Sequence, residues 1–108
     1  MSVLVAALSV SVLLSAAGVA QADEALAKKK NCIACHAVDA KRVGPSYKEI
    51  ANRYAGQKDI EARLEEKIIK GSRGAWTKEL GREVLMPPNA TVKPEDATKL
   101  TRWILSLK

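Results

Sequence analysis

The sequence predicts an all-α fold of about four helices, and three observations carry that prediction. Four stretches show helical apolar spacing with recognisable start and stop signals, and no stretch alternates as a strand would. The chain has 108 residues, room for one domain. Its aromatic content is small: no Phe, and only Tyr47, Tyr54, Trp76 and Trp103. A core that thin needs an apolar filler that the chain does not supply.

Residues 1–22 carry no charge, and the apolar run Val3 to Leu14 leads to Ala20-Gln21-Ala22. This pattern predicts a signal peptide cleaved before Asp23, leaving residues 23–108 as the exported domain. A membrane-spanning anchor would need about 20 apolar residues. Here Ser9, Ser11, Ser15 and Gly18 interrupt the run, so no stable membrane insertion is expected after cleavage.

The first helix is expected from Asp23 to about Cys35, with Asp23 and Glu24 at its positive end and Lys28, Lys29 and Lys30 further along. Gly44-Pro45 punctuates a loop. Ser46 and Glu49 form a capping box for a second helix, Tyr47 to Ala55, stopped by Gly56. The third runs from about Lys58 to Lys70, with Ile60, Leu64 and Ile68 on one face and Gly71 as its stop. Ser72 to Lys93 reads as a loop without secondary structure, and loops of that length tend to be functional. Pro94 opens the last helix, which runs nearly to Lys108 and buries Leu100, Trp103, Ile104 and Leu107. The first and last helices are expected to pack across each other.

The net charge of +6 lies entirely in residues 23–108. Basic residues alternate with acidic ones along Glu61, Arg63, Glu65, Glu66 and Lys67, and no basic–aromatic interleaving occurs, which argues against nucleic acid. Steering toward an acidic patch on a protein partner is the expected use of the charge.

Chemistry concentrates in Cys32-Ile33-Ala34-Cys35-His36, a C-x-x-C-H run that is the attachment pattern of haem c. Two thiols one helical turn apart match the vinyl separation of the macrocycle, and the adjoining histidine reaches the iron. These are the only cysteines and the only histidine in the chain. Three other readings compete. A structural zinc site wants four Cys or His ligands and the chain offers three. A thioredoxin-like redox pair wants a βαβ pattern. A disulfide across one turn would close too short a loop to stabilise much. Protein ligands to haem iron are His, Met, Cys or Tyr. With His36 on one side and both cysteines consumed, Met86 in Leu85-Met86-Pro87-Pro88-Asn89 is the remaining methionine outside the leader. A lysine or an open position is the alternative to Met86. A His/Met iron has no vacant site, and thioether ligation raises the potential, so the centre carries electrons. If Met86 is not a ligand, a haem-based ligand-binding sensor or peroxidase-like protein is the other reading.

Asn31 to Ala37, Val43-Gly44-Pro45, Lys70-Gly71-Ser72, Gly74-Ala75-Trp76, Met86 to Asn89 and Trp103-Ile104-Leu105 occur together in this order. Over Asp23 to Lys108 the chain therefore resembles the small bacterial class I cytochromes c of the c-551/c-552 group. The resemblance implies a class I cytochrome c fold, with about four helices wrapped around one covalently bound haem c and its iron. It implies a monomeric, soluble periplasmic carrier. The donor would be a protein such as a quinol-oxidising complex, and the acceptor a terminal oxidase, nitrite reductase or peroxidase. It further implies that Pro45 accepts a hydrogen bond from the imidazole of His36 and that Asn89 hydrogen-bonds near the Met86 sulfur. Trp76 would donate to a haem propionate. Lys67 stands where relatives often place Arg, and either pairs with a propionate or is a solvated helix residue. One departure stands out: Thr77 to Leu85 intervenes between Trp76 and Met86, where relatives need only a few residues. It resembles an insertion at the lip of the haem crevice.

Overall fold

The computed structural model describes residues 9–11 and 17–107. Most of the expected leader, residues 1–8 and 12–16, lies outside the described residues, and so does Lys108. Among the described residues no helix is long and apolar enough to cross a membrane.

Helix α1 spans Ala17–Lys29. It starts upstream of the expected first residue, in an Ala-rich stretch before Asp23 that contains no proline. Asp23 and Glu24 are therefore interior residues rather than first-turn ones, and Glu24 instead faces Lys28 one turn on at 3.9 Å. The helix also stops earlier than expected. Asn31 takes the left-handed conformation at φ 64°, which an asparagine tolerates better than most residues. A separate 3₁₀ turn then covers Cys32–Ala34, where the N–H groups of both Cys35 and His36 donate to the Cys32 carbonyl, at 3.2 and 3.0 Å.

Helix α2, Tyr47–Tyr54, carries the expected capping box. The Ser46 N–H donates to Glu49 Oε2 at 2.9 Å, and the Glu49 N–H returns to Ser46 Oγ at 3.1 Å. Helix α3, Ile60–Lys70, buries Ile60 and Leu64 and ends at Gly71, whose N–H caps the Lys67 carbonyl at 2.9 Å. Helix α5, Pro94–Ser106, starts on its proline as expected. Asp96 accepts the Lys93 N–H at 3.2 Å.

Ser72 to Lys93 is not the featureless loop the sequence suggested. Strand β1 (Ser72–Arg73) pairs antiparallel with strand β2 (Leu85–Met86), Ser72 opposite Met86 and Arg73 opposite Leu85. Between them lies the short helix α4, Thr77–Leu80. Two-residue strands have no periodicity to read, so only the pairing itself reveals them.

Helix α5 is the hub and packs against α1, α2 and α3. Ala27 of α1 and Ala97 of α5 are both almost fully buried, and their small side chains let the two helices approach closely. Around them sit Tyr47, Val92, Leu100, Trp103 and Ile104, with Tyr47 edge-on to Trp103 at 5.1 Å. A second cluster joins Tyr54, Ile60 and Leu64 to Trp76 and Leu105. A polar clasp closes the end of α1. Lys30 Nζ donates to the Thr91 carbonyl at 2.7 Å and lies 3.5 Å from Asp96.

A candidate cofactor cleft walled by the cysteine turn

Between the two clusters the helices leave an open cleft. Its lining is mainly apolar, including Ile50, Leu64, Ile68, Leu100 and Ile104. Cys32 and Cys35 both line it and both are free thiols. Burial pushes the Cys32 thiol up from its ordinary value.

His36 is 9% exposed. Its Nδ1 lies 2.7 Å from the Pro45 carbonyl oxygen. A carbonyl can only accept, so Nδ1 carries the proton and Nε2 keeps its lone pair. Burial lowers the imidazole pKa, partly opposed by the Pro45 carbonyl, and so favours this neutral form. Tyr47 stacks on the ring at 5.5 Å, and Gly44 leaves room for it: a Cβ there would come within 2.7 Å of Cε1. Pro45, Tyr47 and Gly44 thus fix the ring while Nε2 stays free.

Met86, on β2, lines the same cleft, as do Pro45, Lys67 and Trp76. Trp76 meets Tyr54 edge-on at 6.2 Å. Asn89 makes further bonds within the chain. Its Nδ2 donates to the Lys30 carbonyl at 2.9 Å, and its Oδ1 accepts from the Thr91 N–H and hydroxyl. The Asn89 N–H is anchored on the Ile69 carbonyl at 3.2 Å. The amide therefore straps the segment after Pro88 to the end of α1.

Two cleft residues escaped the sequence reading. The Tyr47 and Thr101 hydroxyls are buried without a partner among the described residues. A buried orphan hydroxyl calls for a group that the chain alone does not provide. Burial keeps the Tyr47 phenol protonated well above its ordinary range. Nothing in the sequence marks either residue, because Tyr and Thr are common at helix positions. Leu80, Val84 and Leu85 from the Thr77–Leu85 stretch also wall the cleft.

The donor set fits haem better than its rivals. Among the described residues no three Cys, His, Asp or Glu side chains converge on a metal position. Among the described residues the sheet is one pair of two-residue antiparallel strands, with no βαβ unit to frame a thioredoxin-like pair. Wide apolar walls, two free thiols one turn apart and a neutral buried imidazole match a flat macrocycle joined through sulfur.

Helices gathered round one such cleft define a class, the small proteins that carry electrons on a covalently bound haem. Comparison with known proteins gives the family. The cytochrome c family model matches residues 20–108, and the chain belongs to the cytochrome c family. Cytochrome c2 of Rhodocyclus tenuis is 51% identical over 88 residues, which are 81% of this chain and 95% of that protein. Cytochrome c-551 of Pseudomonas aeruginosa is 43% identical over 105 residues, 97% of this chain and 95% of that one. The crystal structure of wild-type cytochrome c552 from Nitrosomonas europaea superposes with a TM-score of 0.71 at 48% identity, covering 79% of this chain and 99% of that one. The fold is thus that of class I cytochromes c, and the cofactor is covalently bound haem c with its iron. The protein is a small electron carrier, not an enzyme.

Proposed function

We propose that Cys32 and Cys35 hold the haem through thioether bonds and that His36 and Met86 are its axial ligands. The observation that carries this reading is the buried His36 ring, committed at Nδ1 to Pro45 and free at Nε2, in a cleft that Met86 also lines. Bound iron supplies a one-electron couple, and thioether ligation raises its potential. The chain's own part is to hold both ligands in either oxidation state and to keep water from the metal. Pro45 fixes the imidazole tautomer. Trp76 and Lys67, both on the cleft wall, are assigned to the propionates, Lys67 as a point charge without a bidentate fork.

In this reading residues 1–22 are a cleaved leader and residues 23–108 act as a soluble monomer in the periplasm. The monomer passes electrons from a quinol-oxidising complex to a terminal oxidase, nitrite reductase or peroxidase. The net charge of +6 favours partners with an acidic docking face.

The test is spectroscopic. Oxidised protein should show a far-red thioether–iron charge-transfer band that low cyanide leaves unchanged. Met86→Ala should abolish the band, lower the potential and admit cyanide. A wild-type protein that lacks the band and binds cyanide rapidly would instead be a ligand-binding sensor or peroxidase-like protein.

A further inference from the structure

The ligand reading makes no use of Arg53, a cation held just outside the cleft wall. It sits in the last turn of α2 and grips the segment that opens α4 in three ways. Its Nη1 donates to the Ala75 carbonyl at 2.9 Å. The same nitrogen lies 3.9 Å from Glu79 Oε2. Its Cζ lies over the Trp76 indole, 4.2 Å from the ring centroid, and 5.6 Å from that of Tyr54. Tyr54 meets Trp76 at an interplanar angle of 82°. Both rings line the cleft, so the indole that forms part of the wall is pinned by a cation and by an aromatic edge.

The choice of residue matters. A guanidinium is flat, lies on an aromatic face and still directs N–H bonds sideways, which a lysine ammonium cannot do. Glu79 belongs to the Thr77–Leu85 stretch, where this chain departs from the pattern of the family it resembles. The inserted helix therefore brings its own carboxylate to the cation behind Trp76.

We propose that Arg53 is a positioning residue that fixes Trp76 in the cleft wall, and that its charge, partly offset by Glu79, tunes the reduction potential. The proposal rests on the haem reading above. Oxidised haem carries one more positive charge than reduced haem, so a nearby cation disfavours oxidation and a nearby carboxylate favours it. Arg53 should raise the potential, and Glu79 should moderate that rise.

Spectroelectrochemical titration of the matured holoprotein tests this with R53Q, R53K and E79Q. R53Q should lower the midpoint potential, and E79Q should raise it, because Arg53 keeps its bond to Ala75 and its stack on Trp76. R53K keeps the charge but not the plane and should fall between wild type and R53Q. Unchanged potentials in R53Q and E79Q, or shifts of the same sign, would overturn the proposal. A merely structural role would show as lower melting temperatures in both variants without opposed potentials. The far-red band of the wild type separates the two readings. Its absence would defeat the Met86 assignment, while the potentials would still judge Arg53.

Discussion

Gly71 leaves α3 at φ 82°, a conformation side chains rarely adopt, and it lies against the chain around Met86. A Cβ at this position would lie 2.5 Å from the Met86 carbonyl oxygen and 2.9 Å from the Pro88 nitrogen, and both are backbone atoms that cannot swing away. Gly71→Ala should therefore cost about 1–3 kcal/mol by overpacking and backbone strain together. Denaturant unfolding should record that loss, and the far-red band should weaken as Met86 is displaced. An alanine variant as stable as wild type, with an unchanged band, would refute this account. Single residues were legible in the sequence where they were scarce. One histidine, two cysteines and one methionine beyond the leader left few choices for the site. Asn89 was not legible in the same way. Its position beside the Met86-Pro87-Pro88 run says nothing about which carbonyl its amide faces, and that depends on how Lys30 closes α1.

At the level of elements, helix ends decide what can be read locally. Helices α2, α3 and α5 begin or end on chemistry written into neighbouring residues: Ser46 with Glu49, Gly71, and Pro94. Helix α1 was misjudged at both ends. Its start has no proline to set it, and its stop depends on a left-handed Asn31, a conformation that asparagine tolerates without signalling it. The paired strands rest on a contact between distant segments, invisible to any local pattern. The cap of α2 also makes a pH prediction. The Glu49 carboxyl is held below its ordinary range, first by its bond to the Lys41 side chain and next by the Ser46 N–H. Folding thus favours its charged form. The associated stability is fully present above the ordinary carboxylate range and is lost as pH falls through the lowered value. Glu49→Gln should flatten that acid limb in melts taken across pH. Ser46→Ala should cost about 1 kcal/mol at neutral pH by removing the cap acceptor. An acid limb that keeps its slope in Glu49→Gln would assign it to other carboxylates.

The molecule as a whole is built around its cleft. Its two small clusters flank that cleft, and Ile50 packs against both. A domain this short draws much of its core from the cofactor it binds. Cys32→Ala with Cys35→Ala, made in a host competent for haem attachment, should lose most of its helical far-UV signal and yield quickly to protease. A cooperative melt in that double variant would show that the polypeptide alone suffices. The β1–β2 pairing has a further consequence at this scale. With Ser72 bonded across to Met86, and the Gly74 N–H donating to the Val84 carbonyl at 3.2 Å, the intervening stretch is pinched shut at its neck. Residues can be added to or removed from its tip without pulling on the Ser72–Met86 pairing. The rim of the crevice can thus be remodelled for new encounters while the strand that carries Met86 keeps its place.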